Sequence, residues 1–358
     1  MIYFVYRSLI RTFAHRNDAL AARNAVGRAP HDGFGMSLKE KVLSTMKSRD
    51  TESDFELYVT RTPGYLWALL FRRMHVHPIA VTLLSTALGA AAGYFFWSDS
   101  LGQNLIGMLL LVWANWYDCA DGQLARMTGQ KTLIGRILDG FAGDVWFFSI
   151  YLFITLRLTP QWGVWIWLLC AWAGFRCHAR QCAIADYYRN VHLWFLPGVE
   201  GELNTSEAEL REYRGLRWRS REWFHKLYLF FYISYTRGQE AQSPMFQRFF
   251  RRLTARYGKD VPMELRLRFR EKSLPLMKYT NILTFDTRVG VLFLSLILGE
   301  PWLYPLFEAT VLEALRFYMI RRHETFSQEF DAELTEPGTR NQEPAASSLQ
   351  PGARNVTP

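Results

Sequence analysis

The sequence predicts an all-α, polytopic membrane protein, and three observations carry that class. Hydrophobic residues form 49% of the 358-residue chain and aromatic residues 16%, with 13 Trp. They are gathered into blocks of bilayer length rather than spread as the core of a soluble domain would spread them. Lys and Arg collect at one set of block ends and are missing from the other, as the positive-inside rule requires of a chain threaded through a membrane.

Six blocks are long enough, at about 1.5 Å of rise per residue, to cross a hydrocarbon core of about 30 Å. They are 78–97, 101–117, 137–158, 162–183, 281–298 and 302–320. The connections at 98–100, 159–161 and 299–301 contain no Lys or Arg, and only Arg157 lies near them. The opposite ends hold Arg72, Arg73, Arg126, Lys131, Arg136, Arg176, Arg180, Lys278, Arg321 and Arg322. About six spans therefore leave both termini in the cytosol.

Residues 1–35 open with MIYFVYRSLI, too short to span and with no small-residue cleavage site after it, and are expected to be a weakly ordered extension. Met36 begins a stretch with Ser37 and Glu40 at capping-box spacing, the pattern of a native start. Residues 36–75 are expected to form cytosolic and interfacial helices. Within them, 54–74 mixes aromatics with Arg as a juxtamembrane helix does, and Pro63-Gly64 should cut it in two. Residues 76–183 hold spans one to four. In the first span, Gly89 and Gly93 flank three alanines, a face that lets another helix approach closely.

The chemistry gathers in 118–144, DCADGQLARMTGQKTLIGRILDGFAGD, where an apolar run gives way to four aspartates before turning apolar again. Aspartates at the end of a span are costly unless something compensates them, and several at one depth point to a bound cation. Asp118 and Asp121 are three apart and share a helix face. A chain reversal near Gly129 and Gln130 brings Asp121 opposite Asp139, and Asp118 opposite Gly143 and Asp144. Hard divalent cations that act on phosphates are held by a few carboxylates together with the phosphate oxygens. Gly122 and Ala125 leave room on the next turn for a nucleotide, and Arg126 and Arg136 can fork onto phosphate.

The order Asp118, two residues, Asp121-Gly122, two residues, Ala125-Arg126, eight residues, Gly135, three residues, Asp139 resembles the signature of the CDP-alcohol phosphatidyltransferases, integral membrane enzymes that displace CMP from a CDP-activated lipid or alcohol. The resemblance implies a cytosol-facing site with two divalent metals, Mg²⁺ or Mn²⁺, held by Asp118, Asp121, Asp139 and a fourth aspartate that acts as base on the acceptor hydroxyl. It also implies nucleotide contacts at Gly122, Ala125, Arg126 and Gly135. The family places its fourth aspartate at position 143, but here that residue is Gly143 and the acid is Asp144. One residue turns a side chain by about 100° on a helix, so either a π-bulge beside Gly143 restores Asp144 as ligand and base, or the base differs. His77-Pro78-Ile79-Ala80-Val81-Thr82 is similar to the family's Pro-Asn-x-x-Thr, with Ile79 in place of Asn, and no contact is assigned to it.

After the fourth span, residues 184–278 carry 18 Lys or Arg against 11 Asp or Glu, about +7 of the chain's net +9. Aromatics interleave with this charge, so the segment is expected to be a basic amphipathic insert on anionic membrane lipids, with 223–235 in the headgroup layer; nucleic acid is excluded as the costlier explanation. Spans five and six occupy 279–322, and their Asp286, Arg288, Glu308, Glu313 and Arg316 either line an acceptor pocket or pair across the two helices. Residues 323–358 turn to Pro, Gly, Ser, Asn and Gln and are expected to be a disordered tail. Cys119, Cys170, Cys177 and Cys182 lack zinc spacing and read as small apolar filler.

The resulting expectation is a phospholipid-biosynthetic transferase of a bacterial inner membrane. Its partners would be a CDP-diacylglycerol-like donor, a small alcohol acceptor of the inositol type, and a second copy in a homodimer. Two other classes stay open: a headgroup transferase acting on a ceramide-like alcohol, and a non-catalytic membrane scaffold. A calcium loop is excluded, since Asp118 to Gly122 lacks the alternating acids and late Glu of an EF-hand.

Overall fold

The computed structural model describes residues 48–51, 55–197, 203, 205–218 and 223–335, without the side chains of Leu133, Arg136 and Phe224. The weakly ordered extension, the start at Met36 and residues 336–358 fall outside the described residues. Every regular element described is helical.

A π-helical turn, Glu56–Arg61, runs into α1 (Thr62–Arg73). Pro63 therefore opens α1 in its first turn, where a missing N–H costs nothing, rather than cutting the juxtamembrane helix in two. Then follow α2 (Pro78–Phe95), α3 (Leu101–Thr128) and α4 (Leu133–Trp162). Their close packing is written in small residues, as expected: a Cβ on Gly89 would overlap the Trp146 ring, and one on Gly93 would overlap Ser149. The Trp146 indole donates to the Ser85 carbonyl at 3.1 Å, and the Ser85 hydroxyl donates to the Ala114 carbonyl at 3.0 Å, so polar bonds tie the three helices where no hydrophobic force separates protein from lipid.

The chain returns through α5 (Val164–Ala171), a second π segment (Trp172–His178) and α6 (Ala179–Phe195). After α7 (Ser206–Gly215), α8 (Trp223–Ala241), α9 (Pro244–Tyr257) and α10 (Met263–Ile282), it re-enters the apolar bundle with α11 (Phe285–Ile297), α12 (Leu303–Phe307), a third π segment (Glu308–Leu312) and α13 (Glu313–Thr335).

Among the described residues, three stretches are long and apolar enough to cross a membrane: Pro78–Phe95, Ile137–Trp162 and Met263–Ile297, the last broken at Leu283 and Thr284. They overlap the expected first, third and fifth spans. The other three, 101–117, 162–183 and 302–320, are helical, but each runs into charged helix or is interrupted by a π segment.

The insert differs from the layer of surface helices that the sequence predicts. Its aromatic face is buried in protein: Phe246, Phe249, Phe250 and Phe269 join Tyr188 and Phe195 of α6 and Phe326 and Phe330 of α13 in one core. The Phe195 and Phe269 rings stack at 3.7 Å, while Arg248, Arg251 and Arg256 point outward. Aromatics alternating with Arg make an amphipathic helix whether its partner is lipid or another helix, and here the partner of α9 is α13. Glu324 of α13 accepts from the backbone N–H of Met245 at 2.7 Å, capping α9 in place of its N-cap Ser243, whose hydroxyl donates to Tyr188 at 3.0 Å instead. Trp223, Phe230 and Phe231 on α8 remain exposed, whereas Tyr228, Tyr232 and Tyr235 pack toward Ala183.

The tail also departs from expectation. Helix α13 continues to Thr335 instead of giving way at 323, because Phe326 and Phe330, one turn apart, belong to this core. A further link comes from Asp50, which accepts from Arg270 at 2.7 and 3.1 Å and lies 3.2 Å from the His192 ring; that guanidinium holds the Asp50 carboxyl below its usual range. The four cysteines are free, and three are buried.

Candidate metal centre on the helical hairpin

Helices α3 and α4 form the expected hairpin. Gly129 ends α3 with φ +68°, a left-handed conformation that suits glycine, and Thr132 begins α4 by accepting from the Gly135 N–H at 3.0 Å. A Cβ on Gly135 would lie 2.9 Å from the Thr132 hydroxyl and 3.3 Å from Ile79, so this glycine has a local packing reason as well. The reversal sets Asp118 and Asp121 of α3 against Asp139 of α4. One carboxylate oxygen from each lies within 4.8 Å of the other two, and all three residues are buried.

Three carboxylates so close and so far from water repel one another unless a cation compensates them, and an all-oxygen set suits a hard divalent ion. The donor set therefore fits the metal that the motif implies. Gly122 is buried on the same helix, with Ala125 and Arg126 half-buried on the following turn. Arg136 sits in the first turn of α4, but its side chain lies outside the description.

Asp144 is placed differently. Helix α4 is α-helical from Leu133 to Trp162, and the π segments of the chain lie elsewhere, so the bulge expected beside Gly143 is not formed. Five residues along a regular helix turn a side chain by roughly 140° from the starting direction. Asp144 thus falls on the stripe of Ile137 and Tyr151, which packs toward α6 and the second π segment, and it lies outside the group of three.

Thr82 is the contact that sequence reasoning passed over. Its hydroxyl donates to Asp121 Oδ2 and also lies 3.2 Å from the Pro78 carbonyl. The substitution at Ile79 drew attention away from a motif whose threonine is still in place. Behind the aspartates, the π turn and α1 grip the opposite face of α3: Trp116 donates to the Val59 carbonyl at 2.9 Å, and a Cβ on Gly64 would come within 2.7 Å of Cys119.

The charges of the later helices resolve into pairs. Arg288 of α11 meets Glu308 at 2.6 Å, His178 Nδ1 lies 3.0 Å from the same guanidinium, and Tyr151 donates to Glu308. Glu313 pairs with Arg316 at 2.6 Å, and Gln181 joins the two pairs through the Glu308 carbonyl and the Glu313 carboxylate. Of these residues, Arg288 and Glu308 pair across helices, whereas Glu313 and Arg316 pair within α13. The second and third π segments pack on each other and aim His178 and Glu308 at one another.

A family model described as CDP-alcohol phosphatidyltransferase matches residues 75–191, about a third of the chain, spanning α2 to α6 and the whole aspartate hairpin. No curated protein and no solved structure matches. The family implies transfer of a phosphatidyl group from a CDP-alcohol, and with the apolar helices it makes this an integral membrane protein. Over residues 75–191, the chain is similar to the CDP-alcohol phosphatidyltransferase family.

Proposed function

We propose that the protein displaces CMP from a CDP-activated lipid with the hydroxyl of a small alcohol, inositol-like in kind, at a site open to the cytosolic face of a bacterial inner membrane. The observation that carries this reading is the meeting of Asp118, Asp121 and Asp139 within 4.8 Å across a hairpin whose sequence matches the family. These three residues hold the metal, Mg²⁺ or Mn²⁺, and Thr82 fixes the rotamer of Asp121. Bound there, a divalent ion would offset charge on the pyrophosphate oxygens and so favour departure of CMP. Gly122 and Ala125 leave the α3 backbone open to the nucleotide, Gly135 keeps the start of α4 tight, and Arg126 contributes a cation for phosphate. Asp144 receives the proton of the acceptor hydroxyl from the α6 side of α4. The six-span layout with both termini cytosolic, contact with anionic lipids and a homodimer complete the proposal.

The test is CMP release by purified protein with CDP-diacylglycerol and a panel of alcohols. Chelation should abolish release and Mg²⁺ or Mn²⁺ restore it, and Asp139→Asn should lower turnover by about 10³-fold or more, the order seen when a principal electrostatic stabiliser is lost. Near-normal turnover of that variant sinks the assignment. Glycine at position 143, where the family has its acid, favours one second reading: passage of a phospho-headgroup to a ceramide-like alcohol, which would proceed without CMP release. An extracytosolic reporter fused after Asp99 should be active; silence there overturns the orientation.

A further inference from the structure

Two oxygens bound to one ion can be no farther apart than twice the bond length, about 4.2 Å for Mg²⁺ and up to ~5 Å for a looser cation. The oxygens of Asp118, Asp121 and Asp139, mutually within 4.8 Å, are on the scale of the shell of a single ion. A second ion, typically about 4 Å from the first, needs bridging carboxylates and ligands of its own. Three carboxylates offer six oxygens, and Asp121 Oδ2 already accepts from Thr82. The next acid on the hairpin, Asp144, is turned away by an unbroken α-helix, and position 143 is glycine. Charge agrees: three carboxylates balance one divalent cation with one negative charge to spare, whereas two cations would leave net positive charge in a buried site.

We infer that the site of this chain holds one divalent cation in the absence of nucleotide, bound by Asp118, Asp121 and Asp139, with Asp144 outside its coordination shell. This rests on the metal reading above and departs from the two-ion centre that the family resemblance implies. Where the reaction uses a second ion, the three aspartates would leave its ligands to be supplied by the pyrophosphate oxygens.

The experiment is Mn²⁺ titration of the full chain in detergent without nucleotide, with free Mn²⁺ read by electron paramagnetic resonance and the bound spectrum inspected for coupling between paired ions. Wild type and Asp144→Asn should each bind one Mn²⁺ per chain with affinities within about 3-fold and no pair coupling. Asp139→Asn should bind at least about 10-fold more weakly, and Gly143→Asp should add a second, coupled ion. Two Mn²⁺ per wild-type chain, or a loss above 10-fold in Asp144→Asn, overturns the inference while leaving the metal reading intact. No Mn²⁺ bound by folded wild type overturns the metal reading itself.

Discussion

The hydroxyl of Thr82 donates a hydrogen bond to the carboxylate of Asp121, joining the first helix of the bundle to the helix that carries the aspartate motif. A partner behind a metal ligand fixes its orientation, and losing one typically costs 10- to 100-fold in metal affinity or activity. Thr82→Val should therefore raise the half-saturating Mg²⁺ concentration by about 10-fold or more, and Thr82→Ser should recover most of it. An unchanged metal dependence in the valine variant would show that Asp121 is positioned without Thr82.

Gly89 of α2 lies against Trp146 of α4, whose indole is hydrogen-bonded. Gly89→Leu should force the helices apart and lower the thermal midpoint in detergent, with overpacking of this kind costing about 1–3 kcal/mol. A conservative change at Gly290, whose Cβ would meet nothing within 4 Å, is the control and should be near neutral.

Glu308→Gln leaves Arg288 buried without its counter-ion and should destabilise the protein by roughly 3–5 kcal/mol. Replacing both, with Arg288→Met and Glu308→Leu, should recover a large part of that loss. Thermal unfolding of the single and double variants reads the coupling; additive effects would mean the pair is not a unit.

The core formed by α6, α9, α10 and α13 makes its own prediction. Phe269→Ala should cost about 3–5 kcal/mol, as for other buried Phe. A chain ending at Arg322 loses Phe326 and Phe330 from the same core and should aggregate or be degraded. If that truncation stays folded and active, the helical tail contributes nothing to the core.

Glu209 on α7 is buried, and burial pushes its carboxyl up to about 8 from 4.5. The folded state then holds a proton that the unfolded state releases once pH passes 4.5. The stabilisation is complete below 4.5 and is lost as pH rises toward 8. Glu209→Gln removes this dependence, so the variant should gain on wild type in thermal midpoint between pH 5 and 8. Parallel curves for the two proteins would contradict the buried, protonated acid.

The hairpin was legible because its information is local: fixed spacing of Asp118, Asp121 and Asp139 around a turn ending at Gly129 leaves the chain few ways to fold back. Thr82 was harder to see, since its role depends on how α2 leans on α3 and not on its neighbours in sequence. The partner of α9 was hidden for a different reason. Its pattern specifies a buried face without saying whether lipid or protein buries it, and the residues that decide, Phe326 and Phe330, lie some 80 positions away in a stretch whose composition points to disorder. The π segments at 172–178 and 308–312 have no local sequence signature, because each exists to meet the other.

The pair Arg288–Glu308 also bears on how the protein enters its membrane. A translocon that released α11 alone would hand the bilayer a helix carrying an unpaired Arg288 in its first turn, and an unpaired charge in a span is costly. The residue that neutralises it lies only twenty positions downstream, across the turn at 298–302. The two helices are thus suited to leave the translocon together as one hairpin, and ribosome-bound chains stalled before Glu308 emerges should be found with α11 still waiting in the channel.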